Sequence, residues 1–162
     1  MAIQRAMRYF YELKVFEHVS LLTNEMYSGY AKTYTSSKGF LHIGEAISAC
    51  LNAMGNAAKA GIVYGMNGRI YANDGADKAY FYAEIKFSNQ GSYLNCFSFV
   101  ADVMPELQEQ EKSIKHLLPA YGAEKTLAKQ IKLARRYSNA LAEIEKINRS
   151  NKKQNEEMKQ CD

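Results

Sequence analysis

The chain has 162 residues, a formal charge of +4 from 21 Lys and Arg against 17 Asp and Glu, 47% hydrophobic residues and 23% charged ones. A chain of that length can bury roughly 70% of its extended surface in one domain, which excludes wholesale disorder and any need for staples. No apolar run approaches the roughly 18 residues of a membrane helix, and the opening MAIQRAMRYF lacks an apolar core followed by a small-residue cleavage site, so the expectation is a cytoplasmic protein that does not enter a membrane.

In residues 7–16, Met7, Tyr9, Tyr11, Leu13 and Val15 alternate with Arg8, Phe10, Glu12, Lys14 and Phe16, the period of a strand with one apolar face. Residues 20–39 are rich in Ser, Thr, Tyr and Gly and are expected to be irregular or partly helical. From Phe40 to Lys59, Ile43, Ile47, Cys50, Leu51 and Met54 recur at helical spacing, with Ser36 and Ser37 upstream as cap candidates and Gly61 closing the run. Gly44 and Gly55 inside this helix mark close packing, expected against a sheet.

Asn67-Gly68 then sits between two β-rich runs, the pattern of a tight turn pairing residues 62–66 with 69–73. Asp74-Gly75 supplies a second turn. In residues 78–87, Ala79, Phe81, Ala83, Ile85 and Phe87 are expected to face a core, with Tyr80 and Tyr82 on the opposite side. Ser88-Asn89-Gln90-Gly91 turns the chain into a strand over 92–101, and connections this short imply an antiparallel meander. Pro105 opens a helix of about three turns, with Glu106, Glu109 and Glu111 early and Lys112, Lys115 and His116 late, complementing its dipole. Pro119 and Gly122 end it.

From Glu124 the chain has no Pro or Gly and is dense in strong helix formers, so a long helix is expected. Leu127, Ile131, Ala134 and Leu141 fall on one side, continued by Tyr137, Ile144 and Ile147, and Lys125, Lys129, Lys132 and Arg136 fall opposite. The apolar stripe over 127–147 is roughly 30 Å long. One domain about 40 Å across can cover it, and a coiled-coil homo-oligomer through this helix is allowed but not required. The whole reads as an α+β domain over residues 1–149. Its antiparallel sheet has about four to five strands, in the order β-α-β-β-β-β-α-α, with the long amphipathic helix C-terminal. Residues 150–162 read as a polar tail, frayed or a solvated extension of the helix.

Chemistry-bearing motifs are scarce. Cys50, Cys96 and Cys161 are widely spaced, with no CxxC pair and no neighbouring His, and read as two small core residues and one exposed tail thiol. No P-loop, GxGxxG, GxSxG, HExxH or EF-hand pattern occurs, so no cofactor, metal or catalytic residue is assigned, and the reading leans away from an enzyme. His42 and Glu45 stand i and i+3, as a metal half-site or acid/base pair would need, but no second half-site accompanies them, which favours a hydrogen bond on the helix surface. Glu17-His18 has the same standing, and His116 reads as a helix-dipole partner.

KAYFYAEIKF at 78–87 has a basic residue and alternating aromatics, as RNA-recognition-motif strands do. It departs from that signature where Ala79 replaces glycine, Phe81 a small residue and Ile85 an aromatic, and the strand–helix order differs as well. Tyr80 and Tyr82 remain as candidate contact aromatics unless the C-terminal helices cover them.

The charge is uneven along the chain. Residues 1–122 carry eleven basic and eleven acidic side chains, whereas residues 123–162 carry ten basic and six acidic, so the whole excess lies at the C-terminus. Lys125, Lys129, Lys132, Arg135 and Arg136 have no acid among them between Glu124 and Glu143.

Three functions follow as expectations. The first is a non-catalytic adaptor or inhibitor-type protein that meets an acidic protein surface through its tyrosines and its basic helix. The second is nucleic-acid binding through the helix stripe. The third is binding or sequestration of a small anionic, nucleotide-like ligand against Tyr9, Tyr11, Tyr80 or Tyr82.

Overall fold

A computed structural model describes residues 7–16, 31–60, 65–73, 78–88 and 91–160. The 62–64 arm of the expected hairpin, Gly61, Glu17-His18, the Asp74-Gly75 turn, Asn89-Gln90 and Cys161 lie outside them. The fold is α+β, with a five-stranded, wholly antiparallel sheet in the order β2-β1-β3-β4-β5. The strands are β1 (Tyr9–Phe16), β2 (Ala31–Thr35), β3 (Gly65–Ala72), β4 (Phe81–Ser88) and β5 (Gly91–Ser98). Helix α1 (Ile43–Ala60) enters between β2 and β3, and α4 (Leu127–Gln160) closes the chain. Among the described residues no helix is long and apolar enough to cross a membrane.

Period-2 alternation sets the two faces of the sheet. Leu13, Val15, Met66, Ile70, Phe81, Ala83, Ile85 and Leu94 point inward and are buried with the α1 residues Ile43, Ile47, Cys50, Leu51 and Met54. Tyr137 of α4 stacks on Phe81 in the same layer, with ring centroids 6.3 Å apart. Among the described residues no helix covers the other face.

The largest departure from expectation is at Asn67-Gly68. Both residues lie inside β3, where Asn67 pairs with Lys14 and Glu84, and Gly68 with Leu13 and Ala83. Asn-Gly tolerates a turn but does not impose one, and a central strand bonded on both sides gains two ladders instead. Gly68 is a glycine for space, because a Cβ there would overlap the Cys50 sulfur of α1. The strand lost from the expected order is replaced by β2, which falls in the stretch read as irregular. Lys32, Thr33, Tyr34 and Thr35 are all exposed on this edge strand, so no apolar alternation marks it, and pairing with β1 holds it. Ser36, expected as a helix cap, extends that pairing by donating its N–H to the Tyr11 carbonyl and accepting the Tyr11 N–H on Oγ.

The helical stretch of about three turns expected from Pro105 is present over 105–117, with first and last turns that are 3-10 in place of α. A short helix α2 (Val100–Val103) comes first, a 3-10 turn spans Pro105–Leu107, α3 runs Gln108–Ile114, and a second 3-10 turn spans Lys115–Leu117. Pro105 has no N–H to continue α2, and Leu107, fully buried, anchors the restart. Glu111, expected to serve the dipole, is buried and accepts hydrogen bonds from Ser98 Oγ (2.6 Å) and Tyr137 Oη (3.0 Å). Helix α4 starts three residues later than expected, after Gly122 at positive φ, with Thr126 accepting the Lys129 N–H. It continues to Gln160 past the expected end of the domain, with residues 151–154 exposed.

Helix α4 packs on α1 in the antiparallel sense, Gly44 against Ser138 and Ala142 and Gly55 against Ile131. These two glycines therefore serve a helix–helix contact rather than the expected helix–sheet contact. Gln130, fully buried, accepts the Leu94 N–H of the edge strand β5 and donates to the Glu124 carbonyl, which satisfies an edge that would otherwise expose a free donor.

Burial pushes the Cys50 and Cys96 thiols up to about 12, so neither supplies the reactive thiolate. In a native Cys161→Ser variant at about pH 8 an aromatic disulfide reagent is expected to label no thiol rapidly, and to label both after unfolding. Rapid native labelling of either would contradict the burial.

Candidate functional site

The requirement that α4 bury its apolar side against α1 and β5 turns its basic side to solvent. Lys129, Lys132, Arg135 and Arg136 are exposed on the helix, and Lys125 is exposed just before it. None of the five forms an ion pair among the described residues. Other cations do: Arg69 with Glu12 (3.1 Å), Lys86 with Glu84 (3.2 Å), and Lys146 with Glu143 (3.6 Å) and Glu45 (3.7 Å). Lys129 to Arg136 covers about 10 Å of helix axis. The other exposed positions between 128 and 139 are Ala128 and Asn139, so this face presents charge without a large apolar anchor.

The two candidate tyrosines separate. Tyr82 lies on the uncovered sheet face in a cross-strand row with Glu12, Arg69 and Phe97. Its ring centroid is 6.1 Å from that of Phe97, and its hydroxyl donates to Glu84 at 3.1 Å. Burial, with Glu84 beside it, pushes the Tyr82 phenol up to about 12. Phe10 stacks on Tyr71 and Arg69 lies over the Tyr71 ring, giving this face a second aromatic pair. Tyr80 departs from expectation: it is 7% exposed, on the helix side, with its ring edge-on to Tyr9 at 5.8 Å. Regular alternation starts only at Phe81, and Tyr80 bends inward ahead of it.

His42 and Glu45 also separate. His42 is buried, and its Nδ1 lies 3.1 Å from Glu145 of α4, whereas Glu45 faces Lys146. Glu145 is 2% exposed and further accepts the Ile43 N–H (3.0 Å) and Arg149 Nη2 (3.1 Å). A carboxylate 102 positions along the chain thus caps the N-terminus of α1, where backbone donors and the helix dipole favour negative charge. Burial raises the Glu145 carboxyl above its ordinary value, opposed by the Ile43 N–H, Arg149 and His42. Sequence reasoning missed Glu145, although a signal existed: at 100° per residue it falls in line with Ala134 and Leu141, a charge inside the apolar stripe. Ile147, assigned to that stripe, is 56% exposed.

Beside Glu145 a cavity of about 870 Å³ opens between the α4 residues 145–152 and a wall that includes Tyr9, Tyr80, Met104 and Leu107. Among the described residues no three His, Cys, Asp or Glu side chains are grouped to hold a metal ion. No protein-family model, curated protein or solved structure matches this chain.

Proposed function

We propose that the protein is a non-catalytic nucleic-acid-binding module that engages the phosphate backbone through the basic face of α4. The observation that carries this reading is the set of five exposed cations, Lys125, Lys129, Lys132, Arg135 and Arg136, with no carboxylate partner among the described residues. Protein interfaces draw their energy from buried aromatic or Arg anchors set in well-packed pockets. This face carries Arg135 and Arg136 but no aromatic and no large aliphatic side chain exposed between 128 and 139, so it has no apolar anchor to seat in a protein pocket, which favours phosphate over an acidic protein surface. Its binding energy would come mainly from counterion release. The apolar stripe of α4 is occupied by α1 of the same chain, which leaves the basic face as the side available to a partner.

The test is fluorescence anisotropy of labelled oligonucleotides across a salt series. Five phosphates neutralised on duplex DNA give a log–log slope of about −4.5, and on a single strand about −3.5. Reversing three charges in K129E/K132E/R136E is expected to shrink the duplex slope to about −1.8, since each lost phosphate contact removes about 0.9. A flat salt response in the unmodified protein, or an unchanged slope in the variant, would reject the reading.

A further inference from the structure

We infer that the cavity beside Glu145 binds a small organic monoanion, a carboxylate carried on an apolar or aromatic body. Nucleic-acid binding is not a premise, since Lys129, Lys132 and Arg136 lie two or more helical turns from the α4 segment that lines the cavity.

The volume, about 870 Å³, is that of a small-ligand site. One wall is apolar: Tyr9 and Tyr80 meet edge to face, and Val103 and Met104 continue the surface over the buried Leu107. Along it the Tyr9 hydroxyl is under-satisfied. The residue is 1% exposed, and among the described residues its hydroxyl donates to the Met104 thioether at 3.6 Å, a weak acceptor. Burial holds the Tyr9 phenol above its ordinary value, so it stays a donor at neutral pH.

The α4 wall supplies more donors. Arg149 commits Nη2 to Glu145 and keeps its other N–H groups without a partner among the described residues. Lys152, one turn further along, is exposed at the same cavity. The nearest carboxylate is already used, because Glu145 receives the Ile43 N–H, His42 and Arg149.

Arg149 and Lys152 bring cationic donors to this wall, and a carboxylate has two oxygens that match a guanidinium fork. Glu106 at the rim and Glu145 offset the charges of Arg149 and Lys152, which disfavours multiply charged anions, and the N–H groups that Arg149 and Lys152 leave uncommitted are what favour one carboxylate. The apolar wall then takes the body of the ligand.

Thermal unfolding and calorimetric titration of the full chain with phenylbutyrate, phenylbutanol and phenylbutylamine separate head group from body. Phenylbutyrate at about ten times its Kd is expected to raise Tm by roughly 3 to 6 °C, with no comparable rise from the alcohol or the amine. Tyr9→Phe keeps the ring and removes the donor, and is expected to weaken carboxylate binding about tenfold. Lys152→Gln, at an exposed position, is expected to weaken it without unfolding the protein. Absence of carboxylate binding would overturn the inference, as would equal stabilisation by all three compounds, or an affinity unchanged in both variants.

Discussion

Gly44→Ala is expected to destabilise the protein by about 3 kcal/mol, at the upper end of overpacking costs, and so to lower Tm by roughly 6 to 12 °C. The direction is informative because alanine for glycine in a helix ordinarily gains up to about 1 kcal/mol. At Gly44 a Cβ would overlap the Ser138 carbonyl oxygen and lie 2.5 Å from the Ala142 nitrogen and 2.8 Å from its Cβ. Two of these are backbone atoms of α4, which cannot rotate aside, so the helices would have to separate along their whole contact. Gly55→Ala is the internal control. The nearest atom to its added Cβ is Ile131 Cδ1 at 3.2 Å, the end of a side chain that can turn. That variant is expected to range from neutral to about 1 kcal/mol more stable. Urea unfolding of both variants checks the pair, and a Gly44→Ala protein as stable as the parent would show that α1 and α4 do not cross there.

Removing the Glu145 carboxylate is expected to cost about 3 to 5 kcal/mol, the range for breaking a buried ion pair by deleting one partner. Glu145→Ala would leave the Ile43 N–H uncapped, His42 buried without its partner, and Arg149 without its anion. Glu145→Gln keeps an oxygen for the Ile43 N–H but turns an amide toward Arg149 or His42, and is expected to cost about 1 to 3 kcal/mol. Lys146→Ala, which removes half-exposed pairs to Glu45 and Glu143, is expected to cost no more than about 1 kcal/mol. Chemical denaturation ranks the three. If Glu145→Ala and Lys146→Ala came out equal, the buried node would have no energetic role.

What was legible in the sequence were the elements whose side chains repeat with the period of their own structure. The alternation in β1 and β4 and the helical spacing in α1 and α4 report burial on one face, and each of these elements is present. Elements defined by their neighbours were not legible. The β2 strand has no apolar face to announce it, and β3 contains the dipeptide that most favours a turn. Its Gly68 makes sense only once Cys50, 18 positions earlier in the chain, is seen above it. The basic stripe could be placed on solvent by helical projection, because exposing charge opposite an apolar stripe needs no knowledge of the partner element. The site at Glu145 could not be placed that way, since its four participants, His42, Ile43, Glu145 and Arg149, come from two ends of the chain.

By itself the sequence determined the α+β class, the long C-terminal helix and the exposure of Lys129, Lys132, Arg135 and Arg136, because local periodicity reports which side of an element is dry. Only the tertiary structure decided the strand order, the cap of α1 by Glu145, the separation of Tyr80 from Tyr82, and the cavity lined by Tyr9 and Arg149. Those features depend on distances between segments far apart in sequence, which follow from how whole faces pack and not from the pattern along any one of them.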